Sequence, residues 1–202
     1  AGAAGMLCAI EAGKRGRKVL IIDHSKKIGE KIRISGGGRC NFTNINTNPS
    51  KFISSNPNFC ISALQQYTQN DFINLVKKYD IKFHEKKLGQ LFCDNSSQQI
   101  IDMLLEECKS ANVILKSETS ILSVNKIENK YFIKTNLEDY VCDSLVIASG
   151  GLSIPKIGAT NFGYQIAKQF NINVIEQNPG LVPLTFQDIF LKQFFSSMQW
   201  GL

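Results

Sequence analysis

Ala1-Gly2-Ala3-Ala4-Gly5 opens the chain, and Val19-Leu20-Ile21-Ile22-Asp23 follows one helix length later. Read against the pattern Gly-x-Gly-x-x-Gly, Gly2 is the second glycine and Gly5 the third. The first would fall one residue before Ala1. A glycine at position 2 lets backbone approach a pyrophosphate, one at position 5 lets a helix lie close to a strand, and the helix N-terminus turns free N–H groups toward negative charge. Residues 6–15 carry small and apolar residues and Gly16 closes them, so a helix is expected, followed by a buried-type strand at 19–22. Asp23 stands about 20 residues after the glycines, where a ribose hydroxyl needs an acceptor. The plain alternative is an Ala/Gly-rich helix start. On the dinucleotide reading the chain is expected to lack a first strand and a C-terminal part. A sheet with that central slot unfilled leaves backbone groups unpaired, so the chain alone is expected to be unstable.

Composition narrows the class. The chain has 202 residues, 43% of them hydrophobic, and a net charge of +6. That length suits one domain or one and a half. No apolar run approaches the roughly 18 residues of a membrane span, and no charged leader precedes an apolar stretch, so no membrane partner is expected. The positive charge is scattered through pairs such as Lys26-Lys27, Lys77-Lys78 and Lys86-Lys87. Without a basic tract or aromatic-interleaved motif it reads as a solvated surface, and no nucleic-acid partner is expected. Six cysteines lack any Cys-x-x-Cys spacing, and two histidines are too few for a typical His-based metal site. The expectation is buried thiols in a reducing, cytoplasmic compartment, with no metal.

Along the chain, residues 24–58 are loop-like. A helix is expected over 62–78 with a break near Asn70, then a hairpin at 81–84 and 90–93, and a serine-capped helix over 96–110. The period then changes to two, with strands at 113–116, 120–127, 131–136 and 140–148, the last having a continuous apolar centre. A helix follows over 163–170. The order suggests an α/β fold, a doubly wound parallel sheet bearing a β-meander.

The densest segment is Lys31-Ile32-Arg33-Ile34-Ser35-Gly36-Gly37-Gly38-Arg39-Cys40-Asn41-Phe42-Thr43-Asn44. Three glycines permit positive φ and leave several N–H donors free for an anion or a ring carbonyl. Arg39 offers a fixed fork of donors, and Asn41 and Thr43 offer neutral hydrogen bonds. A second segment runs Ala148-Ser149-Gly150-Gly151-Leu152-Ser153-Ile154-Pro155-Lys156-Ile157-Gly158-Ala159-Thr160, continuing to Gly163-Tyr164 and Leu181-Val182-Pro183-Leu184. Together with the N-terminal glycines, these segments resemble the flavoprotein family called HI0933-like, which includes aminoacetone oxidases and bile-acid reductases. The resemblance covers residues 2–184. The chain departs from that family in having Phe92-Cys93 where phenylalanine-proline is usual, and Asn161-Phe162 where Gly-Asp often stands.

The resemblance implies a glutathione-reductase-type FAD-binding fold, incomplete, its first strand missing. Residues 1–184 would be the FAD-binding domain and 185–202 the start of an inserted substrate-side domain. Motif and resemblance together imply a cofactor-binding set of Gly2, Ala4, Gly5, Asp23, His24, Lys31, Ser35, Gly36, Gly37, Gly38, Arg39, Cys40, Asn41, Thr43, Ser149, Gly150 and Gly151. The expected activity is electron or hydride transfer through FAD to or from a small-molecule substrate, with NAD(P)H as a candidate donor. The alternatives are an NAD-binding Rossmann dehydrogenase and a non-enzymatic nucleotide-binding protein. No catalytic acid or base emerges. His24 and His84 read as surface or strand-end residues, and Cys40 reads as a packed residue, a redox partner or a nucleophile.

Overall fold

A computed structural model of the protein describes residues 1–153 and 158–178. Helix α1 (Ala3–Lys14) begins at Gly2 and ends at Arg15, where Gly16 turns the chain with φ +75°. Strand β1 (Leu20–Ile22) follows and pairs in parallel with β5 (Ile114–Lys116), Ile21 opposite Leu115. The ladder continues one residue, Asp23 N–H donating to the Lys116 carbonyl at 2.9 Å. Parallel pairing needs a crossover between the strands, and here it carries most of the remaining elements.

Residues 24–58 are more ordered than their composition suggests. They hold α2 (Glu30–Ile34) and β2 (Asn41–Asn44). Short elements like these have weak periodicity, and partners decide them: Ile32 is buried in the main core, and β2 pairs antiparallel with β4 (Gln90–Cys93). Strand β3 (Phe83–Glu85) completes a three-stranded sheet in the order β2-β4-β3. The helix expected over 62–78 with a break near Asn70 is two, α3 (Ile61–Gln66) and α4 (Gln69–Lys78). The break lies at Tyr67-Thr68 because Thr68 and Asp71 close a reciprocal capping box, which starts a helix more strongly than the preceding residues continue one.

Helix α5 (Gln98–Ser110) buries Ile100, Ile101, Met103, Leu104 and Cys108 against Met6, Ala9 and Ile10 of α1. The serine that serves its first turn is Ser96, whose Oγ accepts from Gln98 N–H at 3.1 Å. Ser97 turns instead toward the Arg33 carbonyl, 2.8 Å away. A Cβ on Gly13 would sit 2.4 Å from the Ala111 carbonyl oxygen, just past the end of α5. That oxygen is backbone and cannot swing aside. Gly13→Ala is therefore expected to cost about 2 kcal/mol, the overpacking penalty exceeding the gain in helix propensity. Urea unfolding checks this, and an unchanged midpoint would show that the two helices separate freely.

The antiparallel meander β6 (Ile121–Ile127), β7 (Lys130–Thr135) and β8 (Tyr140–Cys142) turns at Glu128 with φ +52°. Val124 and Ile133 form a second core with Ile166 of α6 (Phe162–Gln169). The final strand stops at Cys142, short of the expected 148. Residues 144–148 form no ladder among the described residues, and Val146 is 63% exposed. Their apolar run is split instead, Leu145 and Ile147 packing on the second core. The expected inserted-domain start at 185–202 lies outside the described residues, as do Leu181-Val182-Pro183-Leu184 and residues 154–157. Among the described residues, no helix is long and apolar enough to cross a membrane.

Candidate functional site

The N-terminus of α1 is the first component. In any α-helix the first N–H groups lack intrahelical acceptors, here those of Ala3, Ala4 and Gly5. No acidic residue stands in the first turn and no side chain caps it. A Cβ on Gly2 would meet nothing within 4 Å. The space in front of this helix end, the notch, has the sign that suits a phosphate group.

Asp23 closes one side of this notch. Its Oδ2 accepts from the Ala1 backbone nitrogen at 2.6 Å and its Oδ1 from Ser25 N–H at 2.8 Å. The carboxylate is thus anchored at the carboxyl end of β1 with lone pairs left to accept from a ligand. His24 is half exposed and its Nε2 comes within 2.9 Å of where a Gly158 Cβ would stand.

Lys31, on α2, supplies the bridge across the site. Its Nζ donates to the Gly151 carbonyl at 3.3 Å, which ties α2 to the Ser149-Gly150-Gly151 turn. That turn is also fitted to α6: a Cβ on Gly151 would lie 2.8 Å from Tyr164 Oη, and one on Gly163 would lie 2.9 Å from Ser149 Oγ. Immediately before it, Ala148 Cβ stands 3.4 Å from the position a Gly5 Cβ would take. The structure therefore brings Gly2, Ala4, Gly5, Asp23, Lys31 and the 149–151 turn around one notch, although they come from opposite ends of the sequence.

The triple-glycine loop occupies a neighbouring position. Residues 35–38 form a 3-10 turn with Gly36 and Gly37 at φ +60° and +66°. A Cβ on Gly36 would be 2.6 Å from the Phe92 ring and 2.8 Å from Asn41 N, while Gly37 and Gly38 face open space. So the first glycine serves packing and the other two are free. The loop is fastened by Ser97 N–H donating to the Gly38 carbonyl at 2.8 Å and Cys93 N–H donating to the Arg39 carbonyl at 2.9 Å. Ser35 Oγ donates back to the Ile32 carbonyl at 2.9 Å. Arg39 and Asn41 are exposed and Thr43 is partly so.

Cys40 is buried, and burial pushes its thiol up, against a hydrogen bond with Ser35. Cys93 is pushed up to about 11 by burial and by the neighbouring Cys40. A thiol so shifted holds little thiolate near neutral pH, which disfavours the nucleophile among the three readings of Cys40. Reading by sequence missed Ser25, Gly29 and Tyr164. Gly29 adopts φ +69° at the start of α2 with its Cα face 3.0 Å from Ile101 Cγ1 as a Cβ would see it. Tyr164 lies inside the second quoted segment, and the glycine before it was its only mark.

The sequence family described as HI0933-like protein Rossmann domain matches residues 1–193. The chain belongs to that family. It is 53% identical over 193 residues to a protein of Escherichia coli (strain K12) named ribosomal RNA dihydrouridine synthase, covering 96% of this chain and 48% of that one. It is 48% identical over 194 residues to a Haemophilus influenzae protein of the same name, covering 93% and 48%. A Clostridium scindens protein named 3-dehydro-bile acid delta(4,6)-reductase is 23% identical, covering 91% and 45%. The chain spans about half the length of the curated relatives it matches.

These names overturn two expectations. A small-molecule substrate and the absence of a nucleic-acid partner do not stand, because both relatives at about half identity are named for ribosomal RNA. With them go the dehydrogenase and the non-enzymatic alternatives.

Proposed function

We propose that the protein carrying this chain reduces a uridine of ribosomal RNA to dihydrouridine, with FAD held by the residues described above. What carries the reading is 53% identity over 96% of the chain to a relative named for that reaction. The notch at α1 supports it, since a bare helix end beside two small residues suits a pyrophosphate.

The product differs from uridine by two hydrogens, one hydride on C6 and one proton on C5. The flavin, when bound, supplies the hydride chemistry, and NAD(P)H is the proposed source of its electrons. The chain's own residues bind and orient. Gly2, Ala4 and Gly5 present backbone to the pyrophosphate, and Asp23 accepts from the adenosine ribose, with His24 at its edge. Lys31 holds the 149–151 turn against the cofactor. The loop of Ser35, Gly36, Gly37, Gly38, Arg39, Cys40, Asn41 and Thr43 lines the ring side, where Gly37 and Gly38 have unobstructed faces.

The test uses the full-length protein and ribosomal RNA from cells deleted for its gene. Incubation with FAD and NADPH or NADH is expected to produce dihydrouridine, detected by mass spectrometry of digested nucleosides. The protein purified without added cofactor is expected to show flavin absorbance and to release FAD on denaturation. RNA that gains no dihydrouridine with a flavin-loaded protein would sink the assignment.

A further inference from the structure

Residues 51–59, Lys51 to Phe59 in sequence, are all exposed, and they join neither hydrophobic core. Yet they include Phe52, Ile53 and Phe59, with Ile53 fully exposed and Phe59 80% so. Such a run is not disordered by composition. Asn48 Oδ1 accepts from Ser50 N–H at 3.1 Å, Ser54 Oγ from Asn56 N–H at 3.1 Å, and Asn56 Oδ1 from Asn58 N–H at 3.1 Å. These side-chain turns hold the segment in shape and leave its rings outward. An open cleft of about 520 Å³ lies between Phe52, Ile53, Pro57 and Ile61. Exposed apolar surface that local turns hold in place marks a binding site.

Charge decides the occupant. From residue 31 to residue 70 the sequence contains no aspartate and no glutamate, and its charges are Lys31, Arg33, Arg39 and Lys51. The turn between β3 and β4 adds two more. It is fastened to the start of the segment, Ile45 N–H donating to the Gly89 carbonyl and Asn44 Nδ2 to the Leu88 carbonyl, each at 2.9 Å. Lys86 and Lys87 on that turn are exposed. The turn's acid, Glu85, accepts from Gly89 N–H at 3.1 Å and so closes the turn itself. Outward aromatic rings, amide side chains and an excess of cations over acids match single-stranded RNA, whose bases stack on rings while its phosphates meet lysines.

We propose that residues 45–61 and the adjoining turn at 86–89 are a docking surface for single-stranded ribosomal RNA, with Phe52 and Phe59 stacking on bases and Lys51, Lys86 and Lys87 meeting phosphates. The proposal rests on the ribosomal RNA reading above. It adds where the substrate is gripped, at the far end of β2 from the Ser35 to Arg39 loop.

The experiment measures binding of the full-length protein to an unmodified, single-stranded ribosomal RNA fragment by anisotropy across a salt series. Phe52→Ala and Phe59→Ala are each expected to weaken binding about tenfold, the range of a lost base stack. Phe59→Trp is expected to retain affinity and Phe59→Leu to lose it, which separates ring stacking from generic apolar contact. Lys51→Ala is expected to lower the slope of log affinity against log salt by about 0.7, the value for one single-strand phosphate contact. Flavin content and Tm should stay unchanged in all five. RNA affinity untouched by both alanine variants would overturn the proposal, and a lowered Tm beside that untouched affinity would assign the patch to the remainder of the polypeptide. If the wild type binds no RNA, the enzymatic reading itself fails, a result distinguishable because no variant is needed to see it.

Discussion

Gly2→Asp should lower the affinity of the protein for FAD about 100-fold while leaving the fold slightly more stable. Gly2 is the N-cap of α1 with extended backbone, φ −93° and ψ −176°, which any residue adopts. Its Cβ direction is open. An aspartate there can accept from the free N–H groups of the first turn and oppose the helix dipole, together worth about 0.5 kcal/mol over glycine. The same carboxylate occupies the notch proposed for the pyrophosphate. Like charges about 4 Å apart at a protein surface repel by up to about 4 kcal/mol, and screening brings that near the ~3 kcal/mol of a 100-fold change. Fluorescence titration of the apoprotein with FAD, beside a thermal melt, reads both effects. A stabilised variant that binds FAD normally would move the pyrophosphate away from α1.

Glu107→Gln should destabilise the protein by about 3 kcal/mol at pH 7, and the deficit should shrink to about 1 kcal/mol at pH 3. Glu107 on α5 is 2% exposed, with Lys78 Nζ at 2.7 Å, Lys14 Nζ at 2.8 Å and Tyr79 Oη at 2.9 Å. It joins α1, α5 and the end of α4. Burial works to raise this carboxyl, but the two ammonium groups and the phenol outweigh it and bring it down to about 2. Tyr79 is pushed up to about 12, by burial and then by the carboxylate it donates to. Because the folded carboxyl titrates below the unfolded one, its stabilisation is complete above about pH 4.5 and fades as pH falls toward 2. Urea unfolding of both proteins at the two pH values measures this. A deficit independent of pH would show that glutamine loses packing and not charge.

The elements that local pattern foretold are those with strong, long periodicity. Helix α5 repeats apolar residues at helical spacing over Ile100, Met103, Leu104 and Cys108. The meander alternates, and a two-residue turn separates β6 from β7. Elements that depend on a distant partner escaped. Strand β2 is Asn41-Phe42-Thr43-Asn44, with no alternation to mark it, and it is a strand because β4 stands alongside. Conversely, residues 144–148 have the apolar run of a strand without a described neighbour to hydrogen-bond, and they make no ladder. Glu107 gave no sign of burial, since its three partners come from residues 14, 78 and 79.

The same division runs through the site. Gly2, Gly5 and Asp23 could be named from spacing, because a helix length and a strand length set their separation. The 35–43 and 149–151 segments were recognisable as glycine-rich strings. Local spacing therefore settled the α/β class, since backbone geometry repeats over a few residues. That Lys31 would reach the Gly151 carbonyl, that Gly36 would serve packing while Gly37 and Gly38 stayed open, and that Phe52 and Phe59 would face solvent was decided only by the folded chain. Those contacts join residues up to 120 positions apart, and no local preference encodes a distance in space.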